Sequence, residues 1–221
     1  LFIDSAQKLG IATLTLPRLT FGTHFADFNN DGKQDLILVN GHIEPSIQKV
    51  QSAVTYQQPL DIFIAQQDGK LKSLAELTGK PITDPMVGRC VAVGDIDGDK
   101  DIDAIVSVNG GSPVILRNTT GGQRSILIDL KDNTTSNLEA LGAKVTLSNG
   151  TWSSSETVRA RGSYLGHSPY TLHFGIPQQV GTNVHVTIRW PDGTVADQGT
   201  ISIANHYQIV RNGQVQTLTS R

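Results

Sequence analysis

Two nine-residue segments of the chain carry oxygen-bearing side chains at the spacing of a calcium-binding loop. The first segment spans residues 27–35, and its side-chain oxygens fall at positions 1, 3, 5 and 9. Alternate residues of a tight loop can direct their oxygens at one centre, and crowded carboxylates repel one another unless a cation lies between them. Calcium takes about six to eight oxygen ligands in such loops, and the backbone carbonyl at position 7 supplies another. The first predicted calcium site therefore consists of Asp27, Asn29, Asp31, Lys33 and Asp35.

The second segment, residues 95–103, repeats this spacing with an acid at each of the four positions. Its position 7 is Asp101, which we expect to bind through its backbone carbonyl. Position 6 is Lys100 where the first loop has Gly, and Gly98 stands two residues earlier. Gly accepts a positive φ at no steric cost, so Lys100 is a less favourable residue than Gly for the turn geometry at this position. The second predicted calcium site consists of Asp95, Asp97, Asp99, Asp101 and Asp103.

Neither segment is an EF-hand, because that loop needs a Glu at its twelfth position and a helix after it. Here the twelfth residues are Leu38 and Val106. A short aliphatic run comes directly after each loop, 36–39 in one case and 104–108 in the other, and such runs are typical of buried strands. We therefore expect each loop to join two strands.

The run Phe-Gly-Thr-His-Phe-Ala-Asp-Phe-Asn-Asn-Asp-Gly-Lys-Gln-Asp-Leu, residues 21–36, resembles the FG-GAP/VCBS repeat of integrin-like β-propellers. The resemblance implies a calcium loop within a propeller blade. The chain repeats with a matching period, since Asp27 aligns with Asp95 68 residues later and residues 2–10 align with 71–79. This period fits a four-stranded blade. We expect residues 1–118 to form about two blades, with the rest of the propeller upstream in a longer parent chain.

The repeat stops near residues 119–122, and short strand-like runs come after it. Asn149-Gly150 indicates a hairpin, and Pro191-Asp192-Gly193 indicates a turn. About a hundred residues of short strands predict a small β-sandwich over residues 119–221. The predicted fold class is therefore all-β, with a partial β-propeller followed by a small β-sandwich.

Several blocks of this second part come in the order of another family. They are Ser136-Asn137, Leu141–Val145, Gly162–Leu165, His173–Ile176 and Arg189–Gly193. Together they resemble the ASPIC/UnbV domain found at the C-terminus of cartilage-acidic-protein-like and bacterial FG-GAP proteins. The resemblance covers roughly residues 125–211 and implies a domain that follows FG-GAP repeats.

The remaining candidates are isolated side chains or pairs, each with a simpler structural interpretation. They are His42 with Glu44 as ligands or an acid–base pair, His167-Ser168 as part of a triad, Arg159 with Arg161 as an anion site, and Trp152 with Trp190 as a carbohydrate platform. We favour a polar loop for the first pair, a solvated face for the arginines and packing for Trp190. The single cysteine, Cys90, is expected to be a small buried side chain in a strand.

Composition narrows the function classes. One cysteine excludes an internal disulfide, and no apolar run is long enough to cross a membrane. The net charge is −2 with no basic cluster, which argues against nucleic-acid binding. No familiar catalytic motif occurs, so we expect a non-enzymatic, calcium-binding module for adhesion to a protein or glycan ligand. The alternative is an accessory part of an extracellular enzyme that acts on or binds polysaccharide. Calcium points to a secreted or cell-surface protein, periplasmic or outer-surface if bacterial.

Overall fold

The computed structural model describes residues 1–121, 124–150, 152–160 and 162–218. Within these ranges regular structure consists of 17 β-strands, three short α-helices and one 3-10 turn. The predicted all-β fold class is confirmed. In the described ranges no helix is long and apolar enough to span a bilayer.

The first sheet is a four-stranded antiparallel meander in which each strand pairs with the next along the chain. Its strands are β1 (Thr20–Ala26), β2 (Asp35–Asn40), β3 (Asp61–Ala65) and β4 (Leu71–Ser73). All six residues of β2 are buried, as the aliphatic run after the first loop predicted. A four-stranded meander has the topology of a propeller blade, which agrees with the predicted architecture.

The second sheet is a three-stranded meander in which each strand again pairs with the next. Its strands are β5 (Gly88–Gly94), β6 (Asp103–Val108) and β7 (Val114–Leu116). It packs on the first sheet through a shared cluster of buried side chains that includes Ile37, Val39, Val91 and Val106.

The two sheets approach closely at Gly41 and Gly88. A Cβ at Gly41 would lie 2.7 Å from the Gly88 nitrogen and 2.7 Å from the Val87 Cα. A Cβ at Gly88 would overlap the Val39 side chain and lie 2.9 Å from the Asn40 carbonyl oxygen. A larger residue at either position would push the sheets apart.

The first part of the chain also contains short helices, and two of them end in the same way. They are α1 (Ala6–Leu9), α2 (Ala12–Thr15) and α3 (Leu74–Thr78), with the 3-10 turn at Ile47–Lys49. Both α1 and α3 end at a glycine in the left-handed region, Gly10 with φ 83° and Gly79 with φ 69°. These two glycines are the ends of the segments that the sequence aligned, so both segments end in the same local conformation. The aligned segment 71–79 begins with β4 and continues directly into α3.

The C-terminal part contains two four-stranded sheets, in the orders β10-β9-β14-β15 and β13-β8-β16-β17. All pairings within them are antiparallel except that of β8 with β16. The strands are β8 (Ser125–Lys131), β9 (Lys144–Asn149), β10 (Trp152–Thr157), β13 (Leu172–Gly175), β14 (Asn183–Arg189), β15 (Val195–Ser202), β16 (Asn205–Val210) and β17 (Val215–Leu218).

Both sheets contribute to one hydrophobic cluster, which is the arrangement of a β-sandwich. Trp190 lies inside this cluster with 2 % of its surface exposed. The carbohydrate platform that would use Trp190 is therefore wrong, and the packing interpretation is confirmed. The turn after it forms as predicted, since the Gly193 amide donates to the Trp190 carbonyl at 2.9 Å. The hairpin at Asn149-Gly150 pairs Asn149 with Trp152, and Thr151 lies outside the described residues.

A two-stranded hairpin, β11 (Gly162–Ser163) and β12 (Gly166–His167), extends from the sandwich to strands β1 and β5, each at the edge of its sheet. The Ser163 hydroxyl accepts a hydrogen bond from the Thr23 amide of β1 at 3.0 Å. The Ser168 hydroxyl accepts one from the Val93 amide of β5 at 3.0 Å. The two parts of the chain are thus in direct contact. The division into 1–118 and 119–221 stays a prediction, and Gly122 lies outside the described residues.

Candidate metal centre

Both acidic loops join neighbouring antiparallel strands at equivalent places, as predicted. The first loop links β1 to β2, and the second links β5 to β6. In each case the strand pairing joins the residue just before the loop to the ninth loop position, Ala26 with Asp35 and Gly94 with Asp103. The strand pairs therefore fix both ends of each loop.

The two loops share a set of hydrogen bonds within the loop. The position-6 amide donates to the carboxylate at position 1, from Gly32 to Asp27 at 2.7 Å and from Lys100 to Asp95 at 3.0 Å. The position-7 amide donates to the side chain at position 5 at 2.9 Å in both loops. The position-5 amide points to the side-chain oxygen at position 3, at 3.1 Å and 3.4 Å. These bonds hold the side-chain oxygens at positions 1, 3 and 5 against the backbone amides of each loop.

The two loops also share their backbone conformation. Positions 4 and 6 have positive φ in each, with Asn30 at 58° and Gly32 at 85°, and Gly98 at 82° and Lys100 at 73°. Lys100 therefore adopts the left-handed conformation that Gly32 has in the first loop, and the turn geometry is retained. Each loop places Gly at one of the two left-handed positions and a residue with a side chain at the other, and Asn tolerates this region better than Lys.

Position 9 has an anchoring role that the sequence did not indicate. One oxygen of Asp35 accepts from the Phe28 amide at 2.9 Å, and the other accepts from Ala65 at 2.8 Å. Asp103 accepts in the same way from Ile96 at 2.9 Å and from Asn118 at 2.7 Å. Both carboxylates connect the start of their loop to a neighbouring strand or segment, whatever else they bind.

Three carboxylates of the second loop converge. The side-chain oxygens of Asp95, Asp97 and Asp99 lie within 4.8 Å of one another. Oxygen donors in such a cluster fit a hard cation such as calcium. Burial, together with the nearby carboxylates of Asp101, Asp97 and Asp103, raises the pKa of Asp99. The Arg117 guanidinium is hydrogen bonded to Asp97 at the exposed side of this cluster.

The first loop buries its acids more deeply. Asp27 is 3 % exposed and Asp35 is fully buried. Burial raises the pKa of the Asp27 carboxyl to about 7, against the hydrogen bond from the Gly32 amide, and the charge on Asp31 raises it further. Burial likewise raises the pKa of Asp35 to about 6. A cation in this loop would favour the ionised forms. Lys33 has its ammonium 3.5 Å from Asp31 and leaves its own backbone carbonyl as the predicted ligand.

Asp101 links the two loops through its side chain, although the sequence assigned it only a backbone carbonyl. Its carboxylate is fully buried and accepts hydrogen bonds from the Asn30 side chain at 2.7 Å and from the Gly121 amide. The Oδ1 atom of Asn30 is also buried, and within the described ranges it has no hydrogen-bond partner. Asn30 stands at position 4, which the ligand spacing skips, so only the fold reveals this contact.

A cavity of about 480 Å³ opens beside both loops. The lining includes Asp27, Asp95 and Lys100 from the loops and His173 and His206 from the sandwich. The two histidines flank Leu127 on neighbouring strands, so all three lie on the face of the sheet that turns away from the sandwich core. This volume is within the range of small-molecule sites.

The His206 imidazole is held by a carboxylate at the cavity wall. Its Nε2 lies 3.0 Å from Asp129, which also accepts a hydrogen bond from the Thr171 hydroxyl at 2.6 Å. Burial disfavours the ionised carboxylate, but the hydrogen bonds from His206 and Thr171 outweigh it and hold the pKa of Asp129 below its usual range.

The other candidates have local partners. The Glu44 amide donates to His42 at 3.0 Å, while the Glu44 carboxylate accepts from the Ser46 amide and hydroxyl, so this pair forms a polar turn. The Ser168 hydroxyl accepts a hydrogen bond from the Val93 amide, and the His167 ring packs edge-on against the Tyr170 ring.

Cys90 is only partly buried in β5, where full burial was expected, and burial raises the pKa of its thiol. Arg161 lies outside the described residues, so the arginine pair cannot be placed.

Comparison with protein families bears on the C-terminal part. Residues 133–216 match the family model described as ASPIC and UnbV. The ASPIC/UnbV match covers the sandwich from the segment after β8 into β17, and it supports the resemblance noted in the sequence. No curated protein matches the chain.

Proposed function

We propose that the chain is a calcium-binding, non-enzymatic extracellular module for adhesion or ligand binding, with one calcium ion in each acidic loop. The observation that carries the proposal is the convergence of Asp95, Asp97 and Asp99 within 4.8 Å. Three carboxylates at this separation repel one another, and a divalent cation with oxygen preference relieves that repulsion.

The first loop enters the proposal because its internal geometry matches that of the second. It has the same amide-to-carboxylate hydrogen bonds and the same two left-handed positions. It offers Asp27, Asn29 and Asp31 where the second loop offers its three converging acids. This equivalence, together with the FG-GAP/VCBS resemblance, supports one ion in each loop.

Calcium in this proposal is structural. It would hold each loop between two strands and stabilise the native state by mass action. At free calcium about 100 times above the dissociation constant, each site contributes roughly 2.7 kcal/mol. For a chain of this size that corresponds to a rise of roughly 5–10 °C in Tm per site. Extracellular calcium concentrations suit such a role, which supports a secreted or cell-surface location.

The first test compares thermal unfolding in calcium and in excess chelator. We expect calcium to raise the Tm of the wild-type chain. Asp31→Ala and Asp99→Ala should each remove part of the gain, because each removes one ligand from one loop. Asp84→Ala is the matched control, since Asp84 is an exposed acid outside both loops. An unchanged Tm on adding calcium to the wild-type chain would reject the calcium sites.

The cavity beside the loops favours the second candidate, an accessory part of an enzyme that binds polysaccharide. Its mixed lining of carboxylates, imidazoles and aliphatic groups suits a ligand with several hydroxyl groups. A glycan array with and without calcium separates the candidates. Binding to one polysaccharide class without attachment to cells supports the accessory role, whereas attachment to cells through a protein or glycan ligand supports adhesion.

A further inference from the structure

One end of the ASPIC/UnbV sandwich touches both acidic loops. Gly175 of β13 and Ser125 of β8 are cross-strand partners at this end of their sheet. Gly175 lies against the first loop, and Ser125 lies against the second. These two residues are far from the loops in sequence, and only the fold brings them there.

Gly175 leaves no room for a side chain beside Asp27. A Cβ at this position would overlap the Asp27 carboxylate and would lie 2.7 Å from its Cγ and 2.8 Å from the Asn30 Cα. Asp27 stands at position 1 of the loop, the first predicted calcium ligand. The absence of a side chain at residue 175 therefore permits the observed position of that carboxylate.

Pro177 extends the same wall along the loop. A Cβ at Gly32 would lie 2.9 Å from the Pro177 Cγ and 3.4 Å from the Gly175 carbonyl oxygen. Gly32 has a φ of 85° and donates its amide to Asp27. The segment 175–177 thus covers both the residue that turns the loop and the carboxylate that the turn supports.

The second loop is attached to the same sheet end by a different contact. The Ser125 hydroxyl donates to the backbone carbonyl of Lys100 at 2.9 Å. Since Asn30 and Asp101 join the two loops at 2.7 Å, the sheet end and both loops form one connected cluster.

From these contacts we infer that the first calcium site is a composite of the two parts of the chain. The loop supplies the ligands, and segment 175–177 of the ASPIC/UnbV sandwich is the wall that positions Asp27. Gly175 is a positioning residue for calcium and does not bind the ion. Calcium affinity at the first loop then depends on the docked sandwich, and by linkage calcium strengthens the docking. The inference rests on the proposed calcium sites.

Isothermal titration of the metal-free chain with calcium tests it. Asp99→Ala serves as the background, so that only the first site remains. In that background Gly175→Ala should weaken calcium binding at least about tenfold, because the new methyl group must displace the Asp27 carboxylate. In the Asp31→Ala background, where only the second site remains, the same change should alter the dissociation constant less than about twofold.

Gly181→Ala is the matched control in both backgrounds. A Cβ there would meet its nearest neighbour at 3.5 Å, an ordinary contact, and Gly181 lies in the same sandwich away from the loops. Unchanged calcium affinity in Gly175→Ala, with binding intact in the background, would overturn the composite site alone. Absence of calcium binding in the wild-type chain would overturn the proposed function and the inference with it.

Pro177→Ala and Ser125→Ala keep the test decisive if Gly175→Ala does not fold. Neither adds an atom. Pro177→Ala should weaken the first site by roughly two- to fivefold because it removes the wall beside Gly32. Ser125→Ala should weaken the second site more than the first because it frees the Lys100 carbonyl. Circular dichroism of each variant verifies the fold. If each variant bound calcium at both sites with the same affinity as its background, the assignment would be contradicted.

Discussion

At the scale of single residues, Lys100 holds a backbone conformation that suits glycine. Its φ is 73°, and left-handed residues with a Cβ cost roughly 1–2 kcal/mol. Replacement by Gly removes this cost but adds roughly 0.5–1 kcal/mol of chain entropy loss on folding. We expect Lys100→Gly to raise the free energy of unfolding by about 0.5–1 kcal/mol in urea titration.

Lys33→Gly is the control for that prediction. Lys33 occupies position 7 of the first loop and lacks a positive φ, so glycine there gains nothing and adds only entropy. It should be neutral or slightly destabilising. A Lys100→Gly variant less stable than the wild type would show that the lysine side chain contributes more than its backbone strain costs.

The buried acids of the first loop predict an unusual pH dependence in chelator. The pKa values of Asp27 and Asp35 are raised by burial to about 7 and about 6, above their usual value near 4. The folded state therefore binds more protons than the unfolded state between about pH 4 and pH 7, and stability falls as pH rises through that window. We expect the metal-free chain to melt at a lower temperature at pH 7.5 than at pH 5.

Calcium should reverse that trend, because it favours the ionised carboxylates and binds better at higher pH. The measurement is Tm against pH in chelator and in saturating calcium. Asp27→Asn should flatten the chelator curve, since it removes the group with the larger shift. Parallel curves in the two conditions would contradict the assignment of these acids to a metal site.

At the scale of elements, Arg211 ties three segments of the sandwich together. It comes directly after β16, donates to Asp132 after β8 at 3.0 Å, and donates to Asp192 in the turn between β14 and β15. Its guanidinium lies over the Trp190 ring at 5.3 Å. Hydrogen bonds from Arg211 and Thr194 lower the pKa of Asp192 to about 2.

Arg211→Ala should lower the Tm by roughly 3–6 °C at pH 7. Above about pH 4, near the pKa of Asp192 in the unfolded chain, the ionised carboxylate makes its full contribution to stability. That contribution is lost as pH falls toward about 2, the pKa of Asp192 in the folded chain. The difference in Tm between wild type and variant should therefore shrink between pH 4 and pH 2. Arg189→Ala is the control on the exposed side of β14. A difference that is constant with pH would assign the loss to packing on Trp190.

At the scale of the whole molecule, contacts between the two parts predict joint unfolding. The Ser125 hydroxyl donates to the Lys100 carbonyl at 2.9 Å, and Ser163 and Ser168 accept amides from β1 and β5. Calorimetry in calcium should show one transition for the chain. Ser168→Ala leaves the Val93 amide without this partner and should cost about 1–3 kcal/mol while keeping one transition. Two separated wild-type transitions would contradict this coupling.

Local sequence patterns determined much of what the structure shows. Ligand spacing located both loops, aliphatic runs located β2 and β6, and Gly and Pro located the turns at 149–150 and 191–193. The repeat appeared twice, in the loops and in the glycine-ended helices. These features depend on neighbouring residues, whose periodicity and turn chemistry act within a few positions of the chain.

Only the tertiary structure decided the contacts between distant segments. Asn30 meets Asp101 71 residues later, and Gly175 packs against Asp27. The conformation of Lys100 was also settled there, because the loop frame set by β5 and β6 imposes a positive φ that its residue type disfavours. Such contacts arise from how sheets pack on one another, and side-chain spacing along the chain carries no information about that packing.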